Sequence, residues 1–300
     1  MNNLKNSVKS SVALGLFDGI HLGHRAVLEQ AAQSADAGQL RRIVFTFPAE
    51  TAIRKHAGGF LYSSEVRDKM LTQDFGFSLN CEDFSKIRDL SGKEFIKQIL
   101  CEKLQAGCVT CGENFRFGKN ASCDSDDLLK FGRQAGFAVN IVKNLFFHHS
   151  NTLSSNCIIS STEIRRLLSS GDLETANQFL GDPYRIYGIV DHGAQLGRTI
   201  GFPTVNQIFR ENQLIPAFGV YRSRTILPDG REFPSLTNIG KKPTVHYQGL
   251  PLAETYLRGF SGNLYGMELQ VKLLKFIRPE RKFDSIQALT TQMQKDLELI

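Results

Sequence analysis

Tryptophan is absent from this chain of 300 residues, and no stretch of apolar residues is long. None approaches the roughly 20 residues that a helix needs to cross a bilayer. The lysine-containing start, MNNLKNSVKSS, is followed only by the short apolar run from Val12 to Phe17, which ends at Asp18. This pattern lacks the apolar core of a secretory signal. We therefore predict a cytoplasmic protein with no membrane partner.

Long runs of one charge are also missing. The chain has 36 lysines and arginines against 30 aspartates and glutamates, a net charge of +6, and a pI of about 9.0. Such an excess suits nucleic acid or an anionic small ligand. The basic residues are scattered, in no run longer than a pair or so and without an aromatic-interleaved repeat, so polyanion binding is the weaker alternative. We expect no nucleic-acid partner.

Paired metal-binding cysteines are lacking as well. Only one Cys-x-x-Cys occurs among the six cysteines, Cys108 to Cys111, and no second ligand pair stands at zinc-site spacing. The pair lies in a strand-like segment, CVTC, where residues three apart point to opposite faces. The sequence therefore predicts reduced, mostly buried thiols rather than a metal site.

The most informative stretch is VALGLFDGIHLGH. Its apolar run predicts a buried parallel strand that Asp18 and Gly19 end, and a helix begins near Leu22. His21 and His24 then share one face of the first helical turn, beside free backbone N–H groups and the positive end of the helix dipole. This setting favours an anion such as a phosphate over a metal. The alternative is two solvated histidines at a helix start.

The first half of the chain alternates strand-like and helical segments. Apolar runs at 42–47 and 137–142 alternate with helices such as the one that Ser91 and Glu94 open as a capping box. The alternation predicts a parallel sheet with helices on both faces and ligands at the carboxyl ends of the strands. The FDGIHLGH and GENFRFG loops should therefore open on the same edge. The pattern changes near Pro183, which predicts two domains, 1–182 and 183–300.

The second half is built from short runs of β type. YRIYGIV, GVYRSRTI, FPSLTNI, AETYLRGF and LQVKLLKF are rich in β-branched and aromatic residues and are separated by Gly, Pro, Asp or Asn. They predict a small antiparallel β-barrel. At the end of the chain, Ile286, Leu289, Met293 and Leu297 recur at helical spacing, with Asp284 as the predicted N-cap. The fold class is thus α/β plus β, with a C-terminal helix.

A glycine-rich segment, HGAQLGRTIGFPTVN, follows the start of the predicted barrel. Gly193, Gly197 and Gly201 recur at intervals of four, which lets a loop turn its N–H groups toward phosphate oxygens, although glycines in a barrel turn are more often structural. No Gly-Lys-Ser/Thr closes the segment, so it is not a Walker A loop. Thr204 and Asn206 alternate on one face and offer oxygen ligands suited to Mg²⁺ held jointly with phosphates.

Glu254 lies among apolar and aromatic neighbours in LAETYLRGF. One interpretation is an exposed glutamate on a strand. The other is a general base that takes the proton of an attacking alcohol during phosphoryl transfer. The residues alone leave both interpretations open.

From Ser11 nearly to the C-terminus, the chain resembles the bifunctional prokaryotic riboflavin kinase/FMN adenylyltransferases, also called FAD synthetases. The motifs that carry the resemblance are FDGIHLGH, GENFRFG, SSTEIR, GRTIGFPTVN, PAFGVY, NIGKKPT, the AET glutamate, NLYG and RPERKFDS. The resemblance implies a Rossmann-like nucleotidyltransferase domain that converts FMN and ATP to FAD and pyrophosphate. It also implies a β-barrel kinase domain that converts riboflavin and ATP to FMN and ADP, with Mg²⁺ in both reactions.

The resemblance also implies roles for single residues. His21 and His24 would stabilise the ATP phosphates during adenylyl transfer. In the barrel, Glu254 would activate the ribityl 5′-hydroxyl, and Thr204 and Asn206 would hold Mg²⁺. The remaining positions that the family would use for the nucleotide are Asp18, Gly19, Asn114, Ser161, Thr162, Arg165, Gly193, Gly197 and Gly201.

Departures from the family pattern lie mostly in the first half. After FRFGK the family usually has a basic residue and a glycine, where this chain has Ala121 and Cys123, and Glu163 stands at a position that is often basic. They keep open an alternative, a riboflavin kinase whose adenylyltransferase domain is weakened or inactive. A third alternative is a flavin-binding or nucleic-acid-binding protein without turnover, against which the complete set of kinase-type polar residues speaks. Self-association stays open.

Overall fold

The protein divides into two compact units, Met1–Ser161 and Thr162–Ile300. The structure, a computed structural model, describes residues 8–48, 59–148, 156–191, 202–210, 212–241 and 251–300. The first unit contains a parallel sheet with helices, and the second contains a closed antiparallel barrel. The predicted fold class is therefore confirmed.

A five-stranded parallel sheet forms the centre of the first unit, in the order β3-β2-β1-β4-β5. The strands are β1 (Ser10–Leu14), β2 (Arg41–Thr46), β3 (Ser78–Cys81), β4 (Ala106–Gly112) and β5 (Ala138–Val142). The helices are α1 (Leu22–Gly38), α2 (Ser64–Lys69, continued as a π-type turn over Met70–Asp74), α3 (Gly92–Glu94, continued with π-type turns over Phe95–Lys103) and α4 (Ser125–Ala135). The sequence pattern did not predict β3, nor an antiparallel ribbon formed by β6 (Phe146–His148) and β7 (Asn156–Ile158).

Helices cover both faces of this sheet. The Ser11 hydroxyl donates to the Ala31 carbonyl of α1, 2.7 Å away, whereas the next residue, Val12, packs in an apolar cluster that α3 and α4 complete. Neighbouring residues of a strand point to opposite faces, so α1 lies on one face and α3 with α4 on the other. Val12 and Leu28 are both fully buried, which shows that each face has its own apolar contacts.

The first strand ends earlier than its apolar run predicts. β1 stops at Leu14, and Phe17 lies in the following turn with a left-handed φ of 56°. The Phe17 side chain is nevertheless fully buried. The apolar character of this position therefore reflects burial within the turn and not a longer strand. The helix begins at Leu22, as predicted.

The second unit is a closed, six-stranded antiparallel barrel with helices before and after it. The helices are α5 (Ser161–Ser170), α6 (Leu173–Leu180) and α7 (Ile286–Leu297). The strands are β8 (Arg185–Asp191), β9 (Thr204–Ile208), β10 (Gly219–Ile226), β11 (Glu232–Lys241), β12 (Pro251–Leu257) and β13 (Glu268–Pro279), in the order β10-β11-β12-β9-β8-β13. Each predicted run matches a strand, whereas β9 was anticipated only through the alternation of Thr204 and Asn206.

Helix α6 is bound to the barrel by hydrogen bonds. The Asn177 side-chain amide donates to the Leu273 carbonyl of β13 at 2.9 Å, and its oxygen accepts from the Tyr184 backbone N–H at 2.8 Å. These contacts are one reason why the second compact unit begins at Thr162, before the boundary that the sequence pattern suggested at Pro183.

The interior of the barrel contains buried hydroxyl groups beside a cluster of apolar side chains. Ser223, Thr237 and Thr255 form a chain of side-chain hydrogen bonds of 2.8 and 3.0 Å, and the Gln207 amide donates to two strand carbonyls at 2.9 Å each. All four side chains are buried. Inward-facing side chains fill a barrel of this size, which leaves its outer face and its rim as the surfaces open to a ligand.

The C-terminal helix begins one residue later than predicted. The Ser285 hydroxyl accepts from the Ala288 backbone N–H at 3.2 Å, so Ser285 is the N-cap of α7. The prediction of Asp284 in this role was wrong, because Asp284 lies one residue before the N-cap. The capping box of Ser91 and Glu94 at the start of α3 is confirmed.

Burial suppresses the reactivity of one thiol of the Cys-x-x-Cys pair, that of Cys111. Cys108 and Cys111 are free and buried in β4, and burial raises the pKa of the Cys111 thiol to about 12. A thiol that stays protonated is neither a metal ligand nor a nucleophile.

In the described part of the chain, no helix combines the length and the apolar character needed to span a membrane.

Candidate active sites

His21 and His24 stack on each other at the start of α1. Their ring centroids are 3.7 Å apart with planes 20° from parallel, and His21 Nδ1 accepts from the His24 backbone N–H at 3.3 Å. His21 is therefore the N-cap of the helix. The two rings lie together as predicted, although His21 precedes the first helical turn instead of belonging to it. The rings lie beside the positive end of the helix dipole, a setting that attracts anions.

His24 is held neutral by its surroundings. Its Nδ1 is buried and has no hydrogen-bond partner among the residues that the structure describes, although the side chain as a whole is only half-buried. Burial and the neighbouring His21 place the pKa of His24 well below its usual range. At neutral pH the imidazole therefore offers hydrogen bonding and not a fixed positive charge, until an anionic ligand stabilises its protonated form.

Asp18 fixes the loop that presents the histidines. Its Oδ1 accepts from the backbone N–H groups of Leu61 and Tyr62 at 3.0 and 3.4 Å, and its carbonyl accepts from the Ser161 hydroxyl at 2.7 Å. Gly19 adopts a left-handed φ of 86°, and a side chain there would collide with Leu61. Asp18, Gly19 and Ser161 thus shape this loop, whatever contacts they make with a nucleotide.

Sequence reasoning missed Arg67, which is hydrogen-bonded to the turn that follows β1 and leads to the histidines. The guanidinium is 1% exposed and its Nη1 donates to the carbonyls of Leu16 and Phe47 at 3.1 and 2.8 Å. Asp68 balances the charge at 2.8 Å. A single buried cation therefore links the turn after β1 to the turn after β2. Nothing in the helical pattern around Arg67 distinguishes it from a surface arginine.

A large aromatic cavity opens beside this loop at the carboxyl ends of the strands. Its volume is about 720 Å³. Gly15 connects it to the turn after β1, and Arg88 and Arg116 lie among the lining residues. The phenylalanines that line it are Phe45, Phe47, Phe84, Phe95, Phe115 and Phe117. The GENFRFG loop therefore opens on the same edge of the sheet as the FDGIHLGH loop, as predicted.

The other expected nucleotide-binding residues of the first half fall in two places. Asn114 is exposed and stands two residues after the end of β4, at the edge where the histidines lie. Thr162 and Arg165 belong to α5 in the second compact unit, where Thr162 is exposed and Arg165 is 6% exposed. Glu163 accepts hydrogen bonds from Arg166 at 2.5 to 3.0 Å, so the acidic residue at an often basic position has a cationic neighbour.

In the barrel, Glu254 of β12 lies directly opposite Asn206 of β9, and Asn238 of β11 faces it from the other side. Thr204 lies opposite Tyr256, two residues along the same strands. Because directly opposite residues share a face and successive residues alternate, Glu254, Asn206 and Thr204 all project from the outer face. The sequence-predicted acid and both oxygen ligands therefore form one cluster.

Two cavities adjoin this cluster. One cavity, of about 290 Å³, is lined by Glu254, Thr204, Tyr256 and residues of α7, among them Leu289. The other cavity, of about 300 Å³, is lined by Thr204, Val205 and the loop 260–265. Thr204 belongs to both. The arrangement can place two ligands on either side of one hydroxyl, which is what group transfer between them needs.

The oxygen donors of this cluster suit Mg²⁺. Thr204 and Asn206 supply a hydroxyl and an amide oxygen, and Glu254 adds a carboxylate nearby. In the described ranges, no group of three or more His, Cys, Asp and Glu side chains is arranged as a metal site. A cation here would complete its shell with phosphate oxygens and water, as Mg²⁺ commonly does. Gly193, Gly197 and Gly201, expected to cover the nucleotide, lie outside the described residues.

Both halves of the chain match known protein families. Residues 3–156 match the family model described as FAD synthetase, and residues 180–300 match the one described as riboflavin kinase. A crystal structure described as a macrolide-efflux protein from Streptococcus pneumoniae has a TM-score of 0.82, at 27% identity, covering 98% of this chain and 94% of that one. The fold is therefore shared along nearly the whole chain.

Curated relatives extend the match to full length. The bifunctional riboflavin kinase/FMN adenylyltransferase of Listeria monocytogenes is 34% identical, covering 96% of this chain and 90% of that protein. The proteins of the same name from Haemophilus influenzae and Bacillus subtilis are each 35% identical, with 96% and 97% of this chain covered and 92% of each relative. On these matches, the chain belongs to the family of bifunctional riboflavin kinase/FMN adenylyltransferases.

Proposed function

We propose that this protein phosphorylates riboflavin to FMN in the barrel and adenylylates FMN to FAD in the parallel-sheet domain, with ATP as the co-substrate of both reactions. The observation that carries the proposal is the cluster of Glu254, Asn206 and Thr204 between two cavities. It combines a base, metal ligands and room for two substrates. The family membership supports both activities.

In the kinase site, the cavity beside α7 receives riboflavin. Its wall contains apolar and aromatic side chains, including Leu289 and Tyr256, which suit a flat ring system. Glu254 lines this cavity and takes the proton of the ribityl 5′-hydroxyl as the oxygen attacks the γ-phosphorus of ATP. The ATP phosphates then lie toward the cavity of the 260–265 loop, with Thr204 between nucleotide and acceptor.

Mg²⁺ supplies charge neutralisation for the phosphates when it is bound. Thr204 and Asn206 are the side chains that would hold it, jointly with phosphate oxygens. Since little covalent work is required of a protein in phosphoryl transfer, the contribution of these residues is alignment of the two substrates. Gly193, Gly197 and Gly201 would add backbone N–H groups over the nucleotide.

In the adenylyltransferase site, FMN occupies the aromatic cavity and ATP the start of α1. The phenylalanine walls suit the flavin ring, and Arg88 and Arg116 offer charges for its phosphate. The FMN phosphate attacks the α-phosphorus of ATP and pyrophosphate leaves. His21 and His24 stabilise the charge that builds on the phosphates, together with free N–H groups of the helix N-terminus. Asn114 would add a contact to ATP, and the family resemblance implies nucleotide contacts for Thr162 and Arg165 as well.

The two reactions divide along the chain as the sequence pattern suggests. Residues 1–182 would carry adenylyl transfer and residues 183–300 the kinase reaction. The SSTEIR motif, at the start of α5, falls within residues 1–182, and the family resemblance implies that it serves the nucleotide of the first reaction. We also propose a cytoplasmic location, where ATP and Mg²⁺ are available, and no nucleic-acid partner.

Product analysis tests the proposal directly. The purified chain is incubated with riboflavin, ATP and Mg²⁺, and the flavins are separated by chromatography. FAD is the expected product, with FMN as its transient precursor. FMN that accumulates without FAD would correct the proposal to a riboflavin kinase alone, and unchanged riboflavin would overturn it. A parallel incubation with FMN in place of riboflavin isolates the second step.

A further inference from the structure

The helix α7 buries a charged residue more fully than it buries any of its apolar ones. Asp296 is the buried residue of this helix, 2% exposed, whereas Ile286 at its start is 68% exposed. A helix that packs on a domain normally buries a stripe of apolar residues. The position of α7 therefore depends on what Asp296 contacts.

Asp296 forms a two-pronged ion pair with Arg278 of β13. Arg278 Nε lies 3.3 Å from Oδ1 and Nη2 lies 2.7 Å from Oδ2, and the Gln292 amide donates to Oδ1 at 2.7 Å. The two charged side chains are 18% and 3% exposed. In such a setting, removing one partner leaves the other as a buried, uncompensated charge.

The location of Asp296 runs against local preference. It stands in the last turn of α7, where the negative end of the helix dipole disfavours a carboxylate. Attraction to Arg278 must outweigh this cost for the helix to sit as it does. Positions where local preference is violated in a stable fold are often functional.

The same ion pair lies in the wall of the cavity that we assign to riboflavin. Arg278 and Asp296 line it with Leu289 and Met293, which precede Asp296 by two turns and one turn on the same helix face. Leu289 and Met293 are only half-buried, so a flat apolar ligand beside them would complete their burial. Phe283 lies near the same pair, with the Arg278 guanidinium 5.8 Å from its ring centre.

We propose that Arg278 and Asp296 are a positioning pair for the flavin. By fixing α7 against β13, they set the width of the slot between Leu289, Met293 and the outer face of the barrel. The pair does not touch the reacting atoms, so it governs flavin affinity and not the chemical step. This inference rests on the proposed kinase function and names residues of that same site.

The test is the Asp296→Asn variant of the full-length chain. It keeps the shape of the side chain but removes the charge, so Arg278 loses its partner and α7 its fixed position. We expect the riboflavin KM, and the riboflavin Kd measured by quenching of flavin fluorescence, to rise at least tenfold. The kcat at saturating riboflavin and the KM for ATP should stay within about threefold of the parent values, because Glu254 and Thr204 are undisturbed.

Two further variants separate positioning from folding. Glu298→Gln removes an exposed carboxylate just beyond the same helix end and should leave the riboflavin Kd unchanged. The double variant Arg278→Met with Asp296→Leu replaces the buried pair by apolar side chains of similar size, which often preserves stability. This double variant should recover most of the lost riboflavin affinity. If the single variant does not fold, the riboflavin Kd of the double variant tests the positioning role instead.

The outcomes distinguish the two proposals. A parent chain that leaves riboflavin unphosphorylated overturns the proposed kinase function. If the parent is active but Asp296→Asn keeps the parent riboflavin Kd, or loses kcat instead of affinity, the positioning role alone is overturned. Equal losses in Glu298→Gln and Asp296→Asn would also overturn it, because the effect would then belong to the net charge of the helix end.

Discussion

Glu254 and Asn206 occupy directly opposite positions on neighbouring antiparallel strands, with Asn238 opposite Glu254 on its other side. Residues paired in this way have their Cβ atoms about 4.5–5.5 Å apart. A carboxylate is thereby fixed beside an amide on three hydrogen-bonded strands. The register of the barrel, and not a mobile loop, sets the distance between the proposed base and the proposed metal ligand.

The first prediction concerns Glu254→Gln. We expect FMN formation from riboflavin to fall by about 10²- to 10⁴-fold, the usual effect of losing a general base, because the amide cannot take the hydroxyl proton. Conversion of supplied FMN to FAD should continue at the parent rate. Both rates are measured by chromatographic separation of flavins after timed incubations.

Glu232→Gln is the matched control for this experiment. Glu232 is an exposed carboxylate on the same barrel, paired with Arg224 at 3.0 Å, and such surface pairs contribute little. Its variant should phosphorylate riboflavin like the parent. Loss of both reactions in a folded Glu254→Gln protein would count against two separate sites.

The second prediction concerns His24→Ala, for which the reverse pattern is expected. Adenylylation of FMN should fall by about 10²- to 10³-fold, as when a group that stabilises transition-state charge is removed. Phosphorylation of riboflavin should be unaffected. FAD synthesis from FMN at the parent rate would contradict the role assigned to the stacked histidine pair.

The third prediction is a pH dependence of stability that arises from His24. Because its pKa is lowered in the folded protein, the unfolded chain takes up a proton below pH 6.5 before the folded chain does. Stability should therefore fall as the pH drops, by at most about 1.4 kcal/mol per pH unit for one proton. No effect of this histidine is expected above that range.

Thermal unfolding at pH 7.5, 6.5 and 5.5 checks this third prediction. The Tm of the parent should decrease more steeply toward low pH than that of His24→Ala, which has no proton to take up at this position. Parallel Tm curves for the two proteins would show that the buried imidazole does not titrate as its surroundings indicate.

The fourth prediction concerns the unusual turn after GENFRFG. Asn120 and Ala121 both have a left-handed φ of 57°, a conformation that costs about 1–2 kcal/mol for alanine but less for asparagine. Glycine at this position removes the strain. It also gives the unfolded chain more conformational entropy, which lowers the free energy of unfolding by about 0.5–1 kcal/mol. Ala121→Gly should therefore stabilise the first domain by roughly 0.5–1 kcal/mol, a rise in Tm of about 2 °C.

Asn120→Gly is the control for that substitution, since asparagine already tolerates the left-handed region. Its Tm should not rise. A lower Tm for Ala121→Gly in a calorimetric scan would mean that contacts of the alanine methyl group outweigh the strain of its backbone.

The fifth prediction concerns Arg67→Met. The Phe47 carbonyl would lose its Arg67 donor, at a cost of about 1–3 kcal/mol for a buried acceptor left unpaired, whereas the Leu16 carbonyl would keep the Thr46 hydroxyl at 3.3 Å. We expect a lower Tm for the first domain and an FMN adenylylation rate reduced at least tenfold, with riboflavin phosphorylation retained. Arg67→Lys, which keeps the charge but not the paired donors, should be intermediate. An unchanged adenylylation rate would show that the loop holds its position without the guanidinium.

Much of the fold follows from local signals in the sequence. The capping box of Ser91 and Glu94 and the helix after Leu22 depend on neighbouring residues, so they could be predicted and are confirmed. Phe17 could not, because an apolar residue buried in a turn has the same composition as one buried in a strand. The strand β3 was missed because it has no continuous apolar run that would indicate a strand.

The candidate sites divide in the same way. His21, His24 and Glu254 stand in short motifs, so the amino-acid sequence alone is enough to propose them. Arg67 and the pair Arg278 and Asp296 could not be proposed in this way, because their partners are brought together only by packing of distant segments. The opposition of Glu254 and Asn206 likewise depends on the register of strands that are far apart in the chain.

The closely packed interior of the barrel has a consequence for turnover. Since Ser223, Thr237 and Thr255 are sealed inside and the cavities open on the outside, no strand has to separate for a substrate to arrive or a product to leave. We expect amide hydrogen exchange in the strands to stay slow throughout the catalytic cycle, while exchange at the edges of the two pockets responds to each ligand. Such an enzyme can combine a rigid frame with rapid release of its product.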